Sequence, residues 1–175
     1  MTTTARYCRA LLALLLAAAG CSGRPPAPPE APASTWLVVS VHDGDTVRAI
    51  DPEKIEHRVR LAGIDAPELG QAFGRVSRDR LRELALRRRV VVHLLDRDRY
   101  GRDLAILEAA GQDLNRQLVA EGLAWHYTRY SDDEGLAAAE ASARASRLGL
   151  WADPDPVAPW AWRKGEAERR AAAKR

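Results

Sequence analysis

Residues 35–50 decide the fold: Thr35-Trp36-Leu37-Val38-Val39-Ser40-Val41, then His42-Asp43-Gly44-Asp45, then Thr46-Val47-Arg48-Ala49-Ile50. Two runs of β-branched and apolar residues flank a turn made of Asp and Gly, which predicts a pair of strands. Asp51-Pro52-Glu53 turns the chain again, and His57 to Ile64 alternates in part, predicting a third strand that Pro67 stops. From Gln71 to Arg88 the spacing changes. Phe73, Val76, Leu81, Leu84 and Ala85 recur near the 3.6-residue period, predicting a helix. Val90–Leu95 is a continuous apolar strand, and Leu104–Glu108 with a return near Gln112 predicts a hairpin around Gly111. Asp113 is placed to cap a short helix carrying Leu114, Leu118 and Val119, ended by Gly122. Ser131 and Glu134 have capping-box spacing for a last helix that closes at Gly149. Short strands with a helix after the third, then more helices, predict an α+β, mainly β fold. Its form is a five-stranded OB-type Greek-key barrel with about three packed helices.

The chain has 175 residues, enough for one core. Its formal charge is +3, but Arg6 and Arg9 contribute two of these charges, and Arg163–Arg175 holds six basic and two acidic residues. The body between is slightly acidic, so a groove for a polyanion has to be locally basic. The two cysteines, Cys8 and Cys21, both precede the predicted strands, which excludes a disulfide framework or thiolate site in the fold. His42, His57, His93 and His126 form no helical pair at metal spacing, which argues against zinc.

Arg6 and Arg9 precede an apolar run, Ala10–Ala19, too short to span a bilayer. Residues 1–20 are therefore expected to be an export signal. Ala18-Ala19-Gly20-Cys21 resembles a bacterial lipoprotein box, which implies cleavage before Cys21 and acylation there. An ordinary signal peptide with an incidental cysteine is the alternative. Residues 21–34, rich in Pro and Ala, then serve as a stiff spacer holding the domain (35–151) off a membrane. The expected location is the cell envelope, on the periplasmic face of a membrane or the cell surface. The tail, 152–175, is Pro-rich and then basic, with a helix-forming composition. Its Trp160 and Trp162 can pack back on the barrel or touch membrane, and its basic residues can meet phosphate or anionic lipid.

Three clusters carry chemistry. Asp43-Gly44-Asp45-Thr46 is a plain hairpin turn taken alone, or two carboxylates converging on a hard cation. In Arg60-Leu61-Ala62-Gly63-Ile64-Asp65-Ala66-Pro67-Glu68, the charges are either solvated around a loop or assembled. If assembled, Asp65 and the Ala66 carbonyl join the cation site, Glu68 is a base and Arg60 a phosphate clamp. Asp98-Arg99-Tyr100-Gly101-Arg102 is a basic turn or a second arginine clamp beside a ring.

In this order and spacing the three clusters resemble the staphylococcal nuclease (thermonuclease) family. The likeness extends through Gly122-Leu123-Ala124 and Leu148-Gly149-Leu150-Trp151, covering about Thr35 to Trp151. Pro159-Trp160-Ala161-Trp162-Arg163-Lys164 is similar to tails on bacterial members. The resemblance implies an OB-type barrel and a monomeric, calcium-dependent phosphodiesterase acting on DNA or RNA and leaving 3′-phosphate ends. It implies Asp45, Asp65 and the Ala66 carbonyl as metal ligands, with Asp43 in support. It implies Arg60, Glu68 and Arg102 as catalytic residues, Tyr100 against nucleotide phosphate and Tyr130 near substrate; Tyr127 is offset by one position from the family's base-stacking tyrosine. Two departures stand out: Leu69–Gly74 is shorter than the lysine-rich loop of the best-known secreted member, and Ala66 replaces its threonine. The alternative function is a nucleic-acid-binding OB-domain lipoprotein that does not cut; a structural envelope lipoprotein leaves the coexistence of Arg60, Asp65, Glu68 and Arg102 without a reason.

Overall fold

The computed structural model describes residues 34–173, so the leader, Cys21 and the spacer lie outside the described residues. Strands β1 (Ser34–Val41), β2 (Thr46–Ile50) and β3 (Glu56–Leu61) form an antiparallel meander. β5 (Arg89–Arg97) pairs antiparallel with β1 on one side and with β6 (Asp103–Ala109) on the other. A parallel pairing of β3 with β6 closes these five strands into a barrel, as the sequence predicts. Closure removes the exposed strand edges. Inward side chains alternate along each strand: Val38, Val47, Ala49, Val59, Leu61, Val90, Val92, Ala105 and Leu107 are all buried. Each larger one contributes roughly 1.5–3 kcal/mol by leaving water.

The third strand is shorter than predicted. It stops at Leu61, and β4 (Ile64–Asp65) leaves the barrel to pair with β8 (Trp125–His126). Gly63 makes the break: its φ of +73° is in the left-handed region that favours glycine, and a Cβ there would lie 2.7 Å from the Leu136 side chain. The turn is held from below by Asn115, 1% exposed, whose amide donates to the Ala62 carbonyl (2.9 Å) and the Ala105 carbonyl (3.1 Å).

Helix α1 (Gly74–Ala85) starts later than predicted, after Phe73 in a left-handed conformation. Its inward face is Gly74, Ser77, Leu81 and Ala85, while Val76 is exposed. Ser77 takes the inward place because α1 packs on the Asp43–Asp45 turn. A Cβ on Gly44 would stand 2.6 Å from Ala66 Cβ, with the Ser77 hydroxyl closer still. Gly44 is thus required by close approach, not by an unusual backbone angle.

The hairpin of β6 with β7 (Gln112–Asp113) turns at Ala110 and Gly111, both with positive φ, the geometry a two-residue hairpin favours. Asp113 caps α2 (Leu114–Ala120) by accepting from Arg116 N–H at 3.0 Å. Helix α3 (Glu134–Ala145) begins two residues later than a cap at Ser131 predicts, because Asp133 caps it, accepting from Gly135 (2.7 Å) and Leu136 (3.0 Å). Ser131 accepts from Asp133 N–H instead. α3 ends at Ala145, and a short 3-10 turn at Gly149–Ala152 seats Leu150 and Trp151 against Ala143. The tail, whose composition favours a helix, forms α4 (Pro159–Ala172), which Pro159 opens at a position where its missing N–H costs nothing. Among the described residues no helix is long and apolar enough to cross a membrane.

Candidate active site

The Asp43–Asp45 turn sits where β1 passes into β2, and the Asp45 carbonyl accepts from Leu61 N–H at 2.8 Å. Asp45 is buried. One carboxylate oxygen accepts from Ala66 N–H at 2.7 Å, and the other from the Thr46 hydroxyl at 3.1 Å. Asp43 lies at the rim and accepts from Asp45 N–H at 3.1 Å, which fixes the turn.

Arg60 is opposite Thr46 across the β2–β3 pair, so its side chain rises beside this turn. It forms an ion pair with Asp45, and its Nη2 donates to Asp65 Oδ1 (2.8 Å) and to the Ile64 carbonyl (3.2 Å). Asp65, at the departure of β4, is 1% exposed. Burial pulls the Arg60 guanidinium below its ordinary pKa against the pull of Asp65 and Asp43, and nearby Arg102 adds to the lowering. An arginine still stays protonated.

The parallel closure of the barrel sets Arg102 beside Arg60, because β6 begins at Asp103 opposite Val59. Arg102 is aimed by Asp98, which accepts from its Nε at 2.7 Å and from the backbone N–H groups of Tyr100 and Arg102, each at 2.9 Å. Burial opposes the Asp98 charge, but these hydrogen bonds prevail and hold its pKa below the ordinary 3.8. Tyr100 is exposed, with the Arg99 and Arg102 guanidinium carbons 5.0 and 5.6 Å from its ring centre.

Glu68 follows Pro67 on a short loop, with its side chain 39% exposed. The loop folds tightly on the start of α1: the Glu68 carbonyl accepts from Gln71 N–H at 2.8 Å, and no Cβ fits on Gly74 beneath it. On the far wall Tyr130 is exposed and meets Tyr127 edge-on at 4.9 Å.

All nine residues expected from the barrel clusters, Asp43, Asp45, Arg60, Asp65, Ala66, Glu68, Tyr100, Arg102 and Tyr130, line one cavity of about 1100 Å³. Arg163, from α4, lines it too and was not singled out by the sequence. The available signal was the Pro159-Trp160-Ala161-Trp162-Arg163 run, in which a helix-opening proline puts Trp160 and Arg163 on one face. Tyr127, offset in sequence, stacks on Trp160 at 5.1 Å with ring planes 1° apart.

Asp45, Asp65 and Glu68 stand paired with Arg60 or Arg163. Among the described residues no three His, Cys, Asp or Glu side chains gather into a metal cage as they stand. Asp45, Asp65 and Ala66 line the cavity and are buried, and the two carboxylates offer oxygen, the chemistry a hard cation takes.

Comparison with known proteins adds to this geometry. The family described as staphylococcal nuclease homologue matches residues 58–153. A protein named "uncharacterized endonuclease" from Haemophilus influenzae is 40% identical over 133 residues, covering 76% of this chain and 75% of its own. One of the same name from Escherichia coli O157:H7 is 44% identical over 127 residues, covering 72% and 82%. A protein named "micrococcal nuclease" from Shigella flexneri is 44% identical over 138 residues, covering 73% and 79%.

Proposed function

The chain belongs to the staphylococcal nuclease family, and from that premise we propose that it is a calcium-dependent phosphodiesterase that hydrolyses DNA, RNA or both. Relatives named endonuclease and nuclease support the nuclease reading. One observation carries it to particular residues: two guanidinium groups and an exposed carboxylate converge on buried carboxylates in a single cleft.

A phosphodiester is anionic and repels a nucleophile. Arg60, pinned by Asp45 and Asp65, and Arg102, aimed by Asp98, present paired N–H donors to the phosphate oxygens. The donors are oriented before substrate arrives, so they favour charge that builds on those oxygens in the transition state. Glu68, at the more exposed side, orients a water and takes its proton as the water oxygen bonds to phosphorus. The bond from phosphorus to the 5′ oxygen breaks and that oxygen takes a proton from solvent, leaving a 3′-phosphate and a 5′-hydroxyl. Tyr100 flanks the arginines on the phosphate path, and Tyr130 offers a ring to a base. Calcium, when held by Asp45, Asp65 and the Ala66 carbonyl with Asp43 in support, supplies Lewis-acid neutralisation of the phosphate.

Cleavage of single-stranded DNA by the purified protein is expected to require calcium, stop with a chelator and return when calcium is restored. Folded protein that binds the strand but never cuts it would favour the alternative, a non-catalytic nucleic-acid-binding domain.

We further infer that the protein is an exported lipoprotein held on a membrane at Cys21. The support is the run Arg6 to Ala19 ahead of Gly20-Cys21. Labelled palmitate is expected to enter the wild-type chain in a bacterial host and not Cys21→Ser; equal labelling of both removes the anchor.

A further inference from the structure

The C-terminal helix does more than cover the barrel. Pro159 is buried at its start, and Trp160 is held between Tyr127, stacked at 5.1 Å, and Trp125, edge-on at 5.5 Å. Just ahead, the Gln71 side chain donates to the Val157 carbonyl and ties α4 to the Glu68 loop. One helical turn after Trp160, on the same face, Arg163 reaches into the active-site cleft. Its Nη2 donates to Asp65 Oδ2 at 2.8 Å, and its Nη1 to Asp65 Oδ1 at 3.2 Å and Glu68 Oε1 at 2.8 Å.

Both oxygens of Asp65 are engaged: Arg60 and Arg163 share Oδ1, while Oδ2 has Arg163 as its partner. Asp65 is 1% exposed, so its interaction with this guanidinium is poorly screened by water. A divalent cation drawn to Asp65 competes with Arg163 for Oδ2, because like charges a few ångströms apart repel. The Arg163 side chain is itself 43% exposed, so it has solvent to move into. The anchoring of α4 lies in the aromatic stack, apart from the ion pair, so the side chain can leave while the helix stays docked.

We propose that Arg163 is a further residue of this active site, a positioning residue that holds Asp65 and Glu68 in place of a divalent cation and must release Asp65 before the cation binds. The proposal rests on the calcium-dependent reading above. Its consequence is that α4, outside the barrel, sets how much calcium the enzyme needs.

The test is calcium affinity, by titration calorimetry on the purified full chain without nucleic acid. Arg163→Ala is expected to bind calcium on the order of tenfold more tightly than wild type, the value of one well-made bidentate pair that no longer has to break. Arg163→Lys should fall between, since one ammonium does not bridge both carboxylates as a fork does. Trp160→Ala, which frees α4 and leaves every carboxylate and arginine intact, should also tighten binding. Wild-type affinity in folded Arg163→Ala and Trp160→Ala overturns the proposal while leaving the calcium reading intact. Absence of calcium binding by wild type and all variants defeats the calcium reading, and this proposal with it.

Discussion

Arg60→Ala is expected to lower the cleavage rate by about 10³-fold or more, the range found when a guanidinium that stabilises phosphoryl charge is removed. Two functions are lost together. The side chain supplies the donors nearest the buried carboxylates, and it neutralises them: it is paired with Asp45, 5% exposed, and with Asp65, 1% exposed. Arg163 still covers Asp65 in the variant, but Asp45 keeps only its neutral donors, Ala66 N–H and the Thr46 hydroxyl. Breaking a buried pair from one side costs roughly 3–5 kcal/mol, so the midpoint of thermal unfolding should fall by many degrees. Arg60→Lys restores charge without the fork, and should recover stability more than rate. Rate and unfolding are therefore measured on both variants. Near-normal cleavage by Arg60→Ala would leave Arg60 only the task of balancing the acid pair.

Glu68→Gln should separate chemistry from folding where Arg60→Ala mixes them. The side chain is 39% exposed, and among the described residues its ion-pair partner is Arg163. Glutamine keeps the shape and an acceptor for Arg163 but takes no proton, so stability should change by no more than about 0.5 kcal/mol. Loss of a general base costs about 10²- to 10⁴-fold in rate. Single-turnover cleavage in saturating calcium, beside thermal unfolding, measures both. A folded variant cutting within a few-fold of wild type would remove Glu68 from the proton transfer and leave it as a partner of Arg163.

Much of this was legible in the sequence because it is local. The Ala110-Gly111 turn, the Asp113 cap and the strand pair around Asp43–Asp45 each depend on a few adjacent residues. Where neighbours intervene, local pattern misleads. Ser131 and Glu134 have capping-box spacing, yet Asp133 takes the cap, its carboxylate accepting from two N–H groups at once. Val76 fits the helical period but is exposed, since Ser77 is the residue that faces Gly44. The third strand looks continuous to Ile64, but the positive φ at Gly63 and the pairing with Trp125–His126 carry Asp65 out of the barrel.

The order of the five barrel strands and of helices α1 to α3, the barrel they build and the identity of the charged groups Asp45, Arg60, Asp65, Glu68 and Arg102 could be read from the sequence alone. These follow from side-chain period, turn chemistry and a spacing that resembles one family, all of which survive in a linear string. Only the tertiary structure decided which charges meet. Arg102 stands by Arg60 because β3 and β6 pair in parallel between residues 44 positions apart, and Arg163 reaches Asp65 because an aromatic stack docks a helix 98 positions away. Charges act over a few ångströms through space, and that distance is set by packing rather than by separation along the chain.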